Sequence, residues 1–228
     1  MKGGIKRHTW DEMITYWREH SLIWSGFDDK KDPEGLSNVC HSGAPLYLNK
    51  YYAKYQKLVY LKLLSEVVIS KEKPKALDIG CGAGRWCNIL SGRKFIVTGI
   101  DLQKELIERN KKRYLHCNFF CTSIQDFNTT DRYDLISSVT VVQHIPFQEQ
   151  DAVLSKIRKL ICDDGYALLL ENICDQDLHV FSHSIDGWKK KFSDAGFSVV
   201  AIQRYDYSPF LRIYRTIGII LKNIFRVN

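Results

Sequence analysis

The chain has 228 residues, 45% of them hydrophobic and 26% charged, the proportions of an ordinary soluble globule long enough for one α/β domain with an appended piece. Seven cysteines at 40, 81, 87, 117, 121, 162 and 174 form no CxxC pair and no Cys/His ligand spacing, which excludes a zinc site and a disulfide framework and points to free thiols in a reducing compartment. A net charge of +7 permits anionic partners without naming one. The basic start Met1–Arg7 leads into no apolar stretch of the kind a secretory leader needs, and no apolar run is long enough to span a bilayer.

In chain order, Thr9-x-x-Glu12 is a capping box, so a helix is expected to start there. Trp10, Ile14, Trp17 and Trp24 then share one face, either packed on the main domain or facing a substrate. Residues 26–45 carry Gly26, Gly35, Gly43, two prolines and a charged run, the composition of a loop. A helix is expected from Leu46 to about Ser70, with Tyr47, Tyr51 and Tyr55 at four-residue spacing, and Pro74 ends that region. Strands are then expected near 75–80, 95–101, 117–122, 133–139, 166–171 and 197–203, and helices near 85–91, 103–113, 147–161 and 184–195. Asp163-Asp164-Gly165 reads as a turn feeding the fifth strand. Such alternation implies parallel βαβ units with helices on both faces of the sheet. In the tail, Arg212, Arg215, Lys222 and Arg226 fall on one arc of a helix whose remaining surface is apolar, a pattern that fits a membrane interface, the protein's own domain or a dimer contact.

Three alternating glycines, Gly80, Gly82 and Gly84, follow the first apolar strand directly. They let the backbone turn tightly into a helix and let a ligand approach main-chain N–H groups. Asp78 precedes them inside a buried strand end, where an acid is costly without a partner. The second strand, Phe95–Asp101, ends in an acid where doubly wound folds grip ribose hydroxyls; capping the next helix is the alternative role for Asp101.

The run Asp78-x-Gly80-x-Gly82-x-Gly84, the strand-ending Asp101, and Asp134 opening a strand that leads to Gln143-His144-Ile145-Pro146 resemble class I S-adenosylmethionine-dependent methyltransferases over about residues 74–205. The passage into Ala195-Gly196-Phe197 is similar to the last helix-to-strand step of that fold. The resemblance implies a Rossmann-like α/β fold: a doubly wound, mostly parallel seven-stranded sheet with helices on both faces. To this the chain adds an N-terminal helical cap (1–73, a substrate lid) and a C-terminal amphipathic helix (208–228) around the core at 74–207. It implies S-adenosyl-L-methionine as cofactor, with S-adenosyl-L-homocysteine as product. Gly80, Gly82 and Gly84 would lie against its methionine and ribose parts, and Asp78 would order the loop or reach the amino group. Asp101 would bind the ribose, with Leu102 beside the adenine and Ser123, Ile124 and Gln125 along its edge. Val139 would sit beneath the methionine and Arg85 would face its carboxylate. Ser123 stands where many relatives carry an acid.

Methyl transfer from a sulfonium mostly requires alignment and exclusion of water, helped by a base for a hydroxyl acceptor. His144, Glu171, Asn172 and His183, at or near carboxyl ends of strands, are the catalytic candidates. The expected acceptor is a small molecule methylated on O or N, with a sugar or lipid-linked glycan precursor as the finer expectation. Similarity of Ile124-Gln125-Asp126-Phe127, His144 and Asn172 to protein N-terminal α-amine methyltransferases makes that activity the alternative. A cofactor-binding scaffold without catalysis and a nicotinamide-dependent oxidoreductase are the rival classes, the second disfavoured by GxGxG in place of GxGxxG. Nucleic acid is not an expected partner, because the basic residues cluster beside no recognisable RNA module. The expected location is cytoplasmic, with peripheral contact at the inner face of a membrane through 208–228.

Overall fold

The structure, a computed structural model, describes residues 8–23, 30–40, 45–173 and 179–204. Its centre is a parallel sheet of five strands in the order β3-β2-β1-β4-β5, with β1 Lys75–Ile79, β2 Ile96–Asp101, β3 Asn118–Cys121, β4 Tyr133–Val139 and β5 Ile161–Leu170. Three helices precede it: α1 (Trp10–Ile23), α2 (Leu36–Val39) and α3 (Leu46–Leu64). Four more follow strands β1, β2, β4 and β5: α4 (Arg85–Ser91), α5 (Lys104–Arg113), α6 (Phe147–Leu160) and α7 (Ile185–Asp194).

The alternation of strand side chains divides the core in two. Ala76, Leu135 and Leu168 pack with Tyr60 and Leu64 of α3 and with Trp86 and Leu90 of α4. Leu77, Ile79 and Ile136 pack on the other side with Val153, Leu154 and Ile157 of α6 and Trp188 of α7. Each such side chain contributes roughly 1.5–3 kcal/mol when fully buried. Both faces are therefore covered, as the doubly wound reading requires. The chain leaves β1 toward β2 on one side and returns to β4 on the other, so a crevice opens at the carboxyl ends of these central strands.

Strand number differs from expectation: five among the described residues, not seven. The stretch 197–203 joins no ladder. Val199, Val200 and Ile202 are all exposed, so no buried face forms to hold it as a strand. Instead Gly196, at φ 84, closes α7, and Phe197 N–H donates to the Phe192 carbonyl at 2.9 Å. The tail 208–228 lies outside the described residues, as do Trp24, Gly26, Gly43 and Cys174. Asp163–Gly165 is no turn before β5; it lies within the strand as a bulge, with Tyr133 opposite Ile161 but Leu135 opposite Tyr166.

Two devices seat the N-terminal helices. At α1, Thr9 N–H donates to Glu12 Oε2 at 2.6 Å and Glu12 N–H to Thr9 Oγ1 at 3.3 Å, the reciprocal bonds of a capping box. From α3, Tyr60 stacks on Trp86 with ring centroids 4.3 Å apart and reaches β4 through its hydroxyl. Asp134, at the opposite end of β4 from the crevice, pairs with Lys71 and accepts from Lys75 N–H at 2.8 Å, a structural role.

Candidate active site

The crevice deepens into a cavity of about 400 Å³ roofed by α1 and α3. Of the residues singled out from sequence, Gly80, Gly82, Arg85, Asp101, Leu102, Ser123, Ile124, Gln125, Val139, His144 and Asn172 line it, whereas Asp78, Gly84, Glu171 and His183 do not.

Part of the cavity wall is built by the glycine turn. Gly80, Gly82 and Gly84 all have positive φ, at 64, 51 and 78°. A Cβ at Gly80 would stand 2.3 Å from Val141 Cγ2, and one at Gly84 would stand 2.6 Å from Tyr114 Cε2, so glycine is required at both by conformation and by space. Gly82 is held at each end of its peptide unit. Its N–H donates to Asp101 Oδ2 at 2.8 Å, and its carbonyl accepts from Asn110 Nδ2 at 2.7 Å. Asp101 Oδ1 accepts from Gln103 N–H at 2.9 Å. Burial raises the Asp101 pKa, opposed by these backbone donors. Gln103 itself is the N-cap of α5, so Asp101 does not cap that helix.

Asp78 lies beneath the turn, fully buried. Its carboxyl is pushed up to about 7 by that burial, against the Cys87 thiol at 3.3 Å and the Ser137 hydroxyl. Ser123 Oγ donates to Asp126 Oδ2 at 2.8 Å and accepts from Asp126 N–H at 3.0 Å, which keeps Asp126 in its own turn and out of the cavity. Gln125 supplies the polar group there, and both its side-chain amide atoms are buried without a hydrogen-bond partner. Arg85 leans on the cap, donating from Nη2 to Gln56 Oε1 at 3.3 Å with its guanidinium 4.8 Å from the Trp86 ring centroid.

The cavity also has an aromatic lining. Trp10, Met13, Tyr16 and Trp17 of α1 and Tyr52 of α3 face His144, Asn172, His179 and Val180. His144 stacks on His179 at 5.4 Å, His179 on Tyr16 at 5.5 Å, and Trp17 meets His144 edge-on at 4.7 Å. His144 Nδ1 lies 2.8 Å from the His179 carbonyl.

Glu171 turns away from this space. Its carboxylate accepts from Val142 and Gln143 N–H at 3.1 Å each, holding the 3₁₀ turn Val142–His144, while burial pushes its pKa up to about 8. His183 pairs through Nε2 with Gln150 Oε1 at 2.7 Å and packs edge-on against Trp188, outside the cavity. Both face the scaffold because strand-end position alone does not tell which way a side chain turns. Sequence reasoning missed Tyr16, Tyr52, His179 and Thr140. Thr140 takes φ 57 at the cavity wall, an outlier for a β-branched residue that no local motif signals.

Residues 76–165 match a methyltransferase domain family. They form a methyltransferase domain of the class I, S-adenosylmethionine-dependent kind. The domain is similar to the ubiquinone biosynthesis O-methyltransferase of Coxiella burnetii (strain RSA 331), 25% identical over 159 residues, covering 68% of this chain and 64% of that protein. The protein of that name from Bradyrhizobium diazoefficiens is 33% identical over a shorter stretch of 75 residues, 31% of this chain and 30% of the relative. The chain thus spans less than two thirds of the length of these relatives. Among solved structures, the fold resembles magnesium protoporphyrin IX methyltransferase from Synechocystis PCC 6803 with bound S-adenosylmethionine, at TM-score 0.59, 17% identity and coverage of 81% of this chain and 94% of that one. It also resembles the N-methyltransferase NodS from Bradyrhizobium japonicum WM9, at TM-score 0.58, 22% identity and coverage of 69% and 90%.

The cofactor of this class is S-adenosylmethionine, and the methyltransferase domain has groups to fit it. The Gly80–Gly82 backbone and the Asp101 carboxylate border one stretch of wall, and the partnerless Gln125 amide offers a donor and an acceptor of the kind an adenine edge satisfies.

Proposed function

We propose that the protein transfers a methyl group from S-adenosylmethionine to an oxygen or nitrogen of a small-molecule acceptor, and that the acceptor is flat and largely apolar. The observation that carries this is one cavity lined both by the glycine–Asp101 cradle and by the α1 aromatics. In this reading Asp101 holds the ribose hydroxyls, Leu102 and Gln125 border the adenine, and Val139 lies under the methionine. Asp78 orders the loop from below. Bound there, the sulfonium supplies an already activated methyl group. The protein's share is to align the acceptor, exclude water and take a proton. Residues 1–73 act as the lid and 74–207 as the core.

Asp101 is the only carboxylate among the described residues of the cavity wall. An acceptor ammonium would find no acid beside it, which disfavours a protein N-terminal amine. A sugar would find few polar partners, so a sugar or lipid-linked glycan precursor ranks below a hydroxylated ring. The names of the curated relatives support oxygen as the methylated atom. No helix among the described residues is long and apolar enough to cross a membrane. Membrane contact through 208–228 remains a proposal from sequence, tested by liposome flotation of the full chain against a truncation after Tyr207; equal behaviour would remove it.

The deciding experiment has two stages. Calorimetry with S-adenosylhomocysteine should show binding that Asp101→Ala weakens, and radiolabelled methyl donor should then label hydroxylated aromatics before sugars or peptides. Tight NAD binding with no response to S-adenosylhomocysteine would overturn the assignment.

A further inference from the structure

Around His144 the hydrogen bonds run in one direction. Trp188 Nε1–H donates to the Asn172 carbonyl at 2.8 Å, and Asn172 N–H donates to Gln143 Oε1 at 2.7 Å. A backbone N–H can only donate, so the Gln143 amide orientation is set: its oxygen faces Asn172 and its nitrogen faces His144. That Nε2 lies 3.3 Å from His144 Nε2. An amide nitrogen donates, so His144 Nε2 accepts and carries no proton. His144 Nδ1, 2.8 Å from the His179 carbonyl, is then the protonated nitrogen, because a carbonyl only accepts.

The Gln143 backbone is fixed as well. Glu171 accepts from its N–H and from that of Val142, and Gln143 is almost wholly buried. Ring position is fixed by the His179 stack and the Trp17 edge. The amide-to-imidazole bond is loose at 3.3 Å, longer than the usual 2.9–3.0 Å, whereas a hydroxyl donor settles at roughly 2.7–2.8 Å.

We propose that Gln143 is a positioning residue that, together with the His179 carbonyl, holds His144 as the Nδ1–H tautomer and shields its Nε2 lone pair until an acceptor hydroxyl displaces the amide. For the proton's destination this rests on the methyl-transfer reading above; the tautomer assignment does not. In the acceptor complex the hydroxyl proton passes to Nε2, the oxygen's electron pair forms the new O–C bond, and the pair of the C–S bond stays on sulfur. The imidazolium then releases its proton to solvent. Until that moment His144 has no open basic nitrogen toward water.

The test is a long-range proton–nitrogen spectrum of the full ¹⁵N-labelled chain, with His144 signals identified by their loss in His144→Asn. The expected wild-type pattern is a protonated Nδ1 and an unprotonated Nε2. Gln143→Glu is nearly isosteric and offers an acceptor in place of the donor, so Nε2 should become protonated. Gln143→Leu leaves the His179 carbonyl contact in place, so Nδ1 should stay protonated while the Nε2 signal alone moves. A wild-type Nε2–H tautomer overturns the proposal, as does a Gln143→Glu spectrum that superimposes on wild type at His144. If Gln143→Leu does not fold, Gln143→Glu alone decides. Calorimetry with S-adenosylhomocysteine on the same samples reads the cofactor assignment separately, so failure of that assignment is distinguishable from failure of this one.

Discussion

The Tyr60 hydroxyl donates to Ser137 Oγ at 3.0 Å, joining the last turns of α3 to the middle of β4 across 77 residues of chain. Both residues are fully buried, and Asp78 is Ser137's neighbour across the β1–β4 ladder. The cap is thereby fastened to the sheet beside the acid that underlies the glycine turn.

That arrangement sets a pH dependence. Burial raises the Asp78 pKa from 3.8 to about 7 in the folded protein. Between those two values the folded chain keeps a proton that the unfolded chain has lost, so stability is fullest at the acid end and falls as pH rises through the window. Glu171, raised from 4.5 to about 8, adds to the same slope. Urea unfolding at pH 5, 6 and 7 should show declining stability, with a shallower decline in Asp78→Asn. A stability that rises across this range would contradict the buried, protonated acid.

Gly80→Ala should destabilise the fold by about 1–3 kcal/mol, measured by urea unfolding. A left-handed backbone conformation costs an L-residue roughly 1–2 kcal/mol, and relief of the Val141 contact adds to it. Combining it with Val141→Ala should recover the steric part alone. The two sites touch, so the double variant should be non-additive.

Asp101→Ala should weaken S-adenosylhomocysteine binding by about two orders of magnitude. Two hydrogen bonds to a charged group are worth about 1.5–3 kcal/mol each, and each 1.4 kcal/mol is tenfold. Calorimetry reads this directly, and circular dichroism checks that the Gly82 turn has not taken the fold with it. Unchanged affinity would remove Asp101 from the cofactor site.

Tyr16→Ala should raise the acceptor KM about tenfold while leaving S-adenosylhomocysteine affinity unchanged, since Tyr16 stacks on His179 in the aromatic part of the cavity wall. A loss of cofactor affinity equal to the change in KM would mean that α1 holds the whole cavity together and does not act as an acceptor lid.

Local patterns determined much of this protein. The Thr9–Glu12 box places the start of α1, the alternation from 75 to 171 yields the α/β class, and Gly80, Gly82, Gly84 and Asp101 mark the ligand turn, because each depends on neighbours in sequence or on backbone conformation alone. The helix expected to run to Ser70 stops at Leu64, where Ser65 donates from its N–H to the Leu61 carbonyl and from its hydroxyl to the Lys62 carbonyl, and the β-branched Val67, Val68 and Ile69 follow. The roles of Glu171, His183 and Gln143 were decided only by tertiary structure. Two carboxyl-end candidates turned inward to satisfy a 3₁₀ turn and the Gln150 amide, while an unassigned glutamine came to rest on the histidine. Hydrogen-bond direction around a site is settled by groups about 30 residues apart in the chain, such as Gln143 with Asn172 and His144 with His179, and no spacing within one segment encodes it.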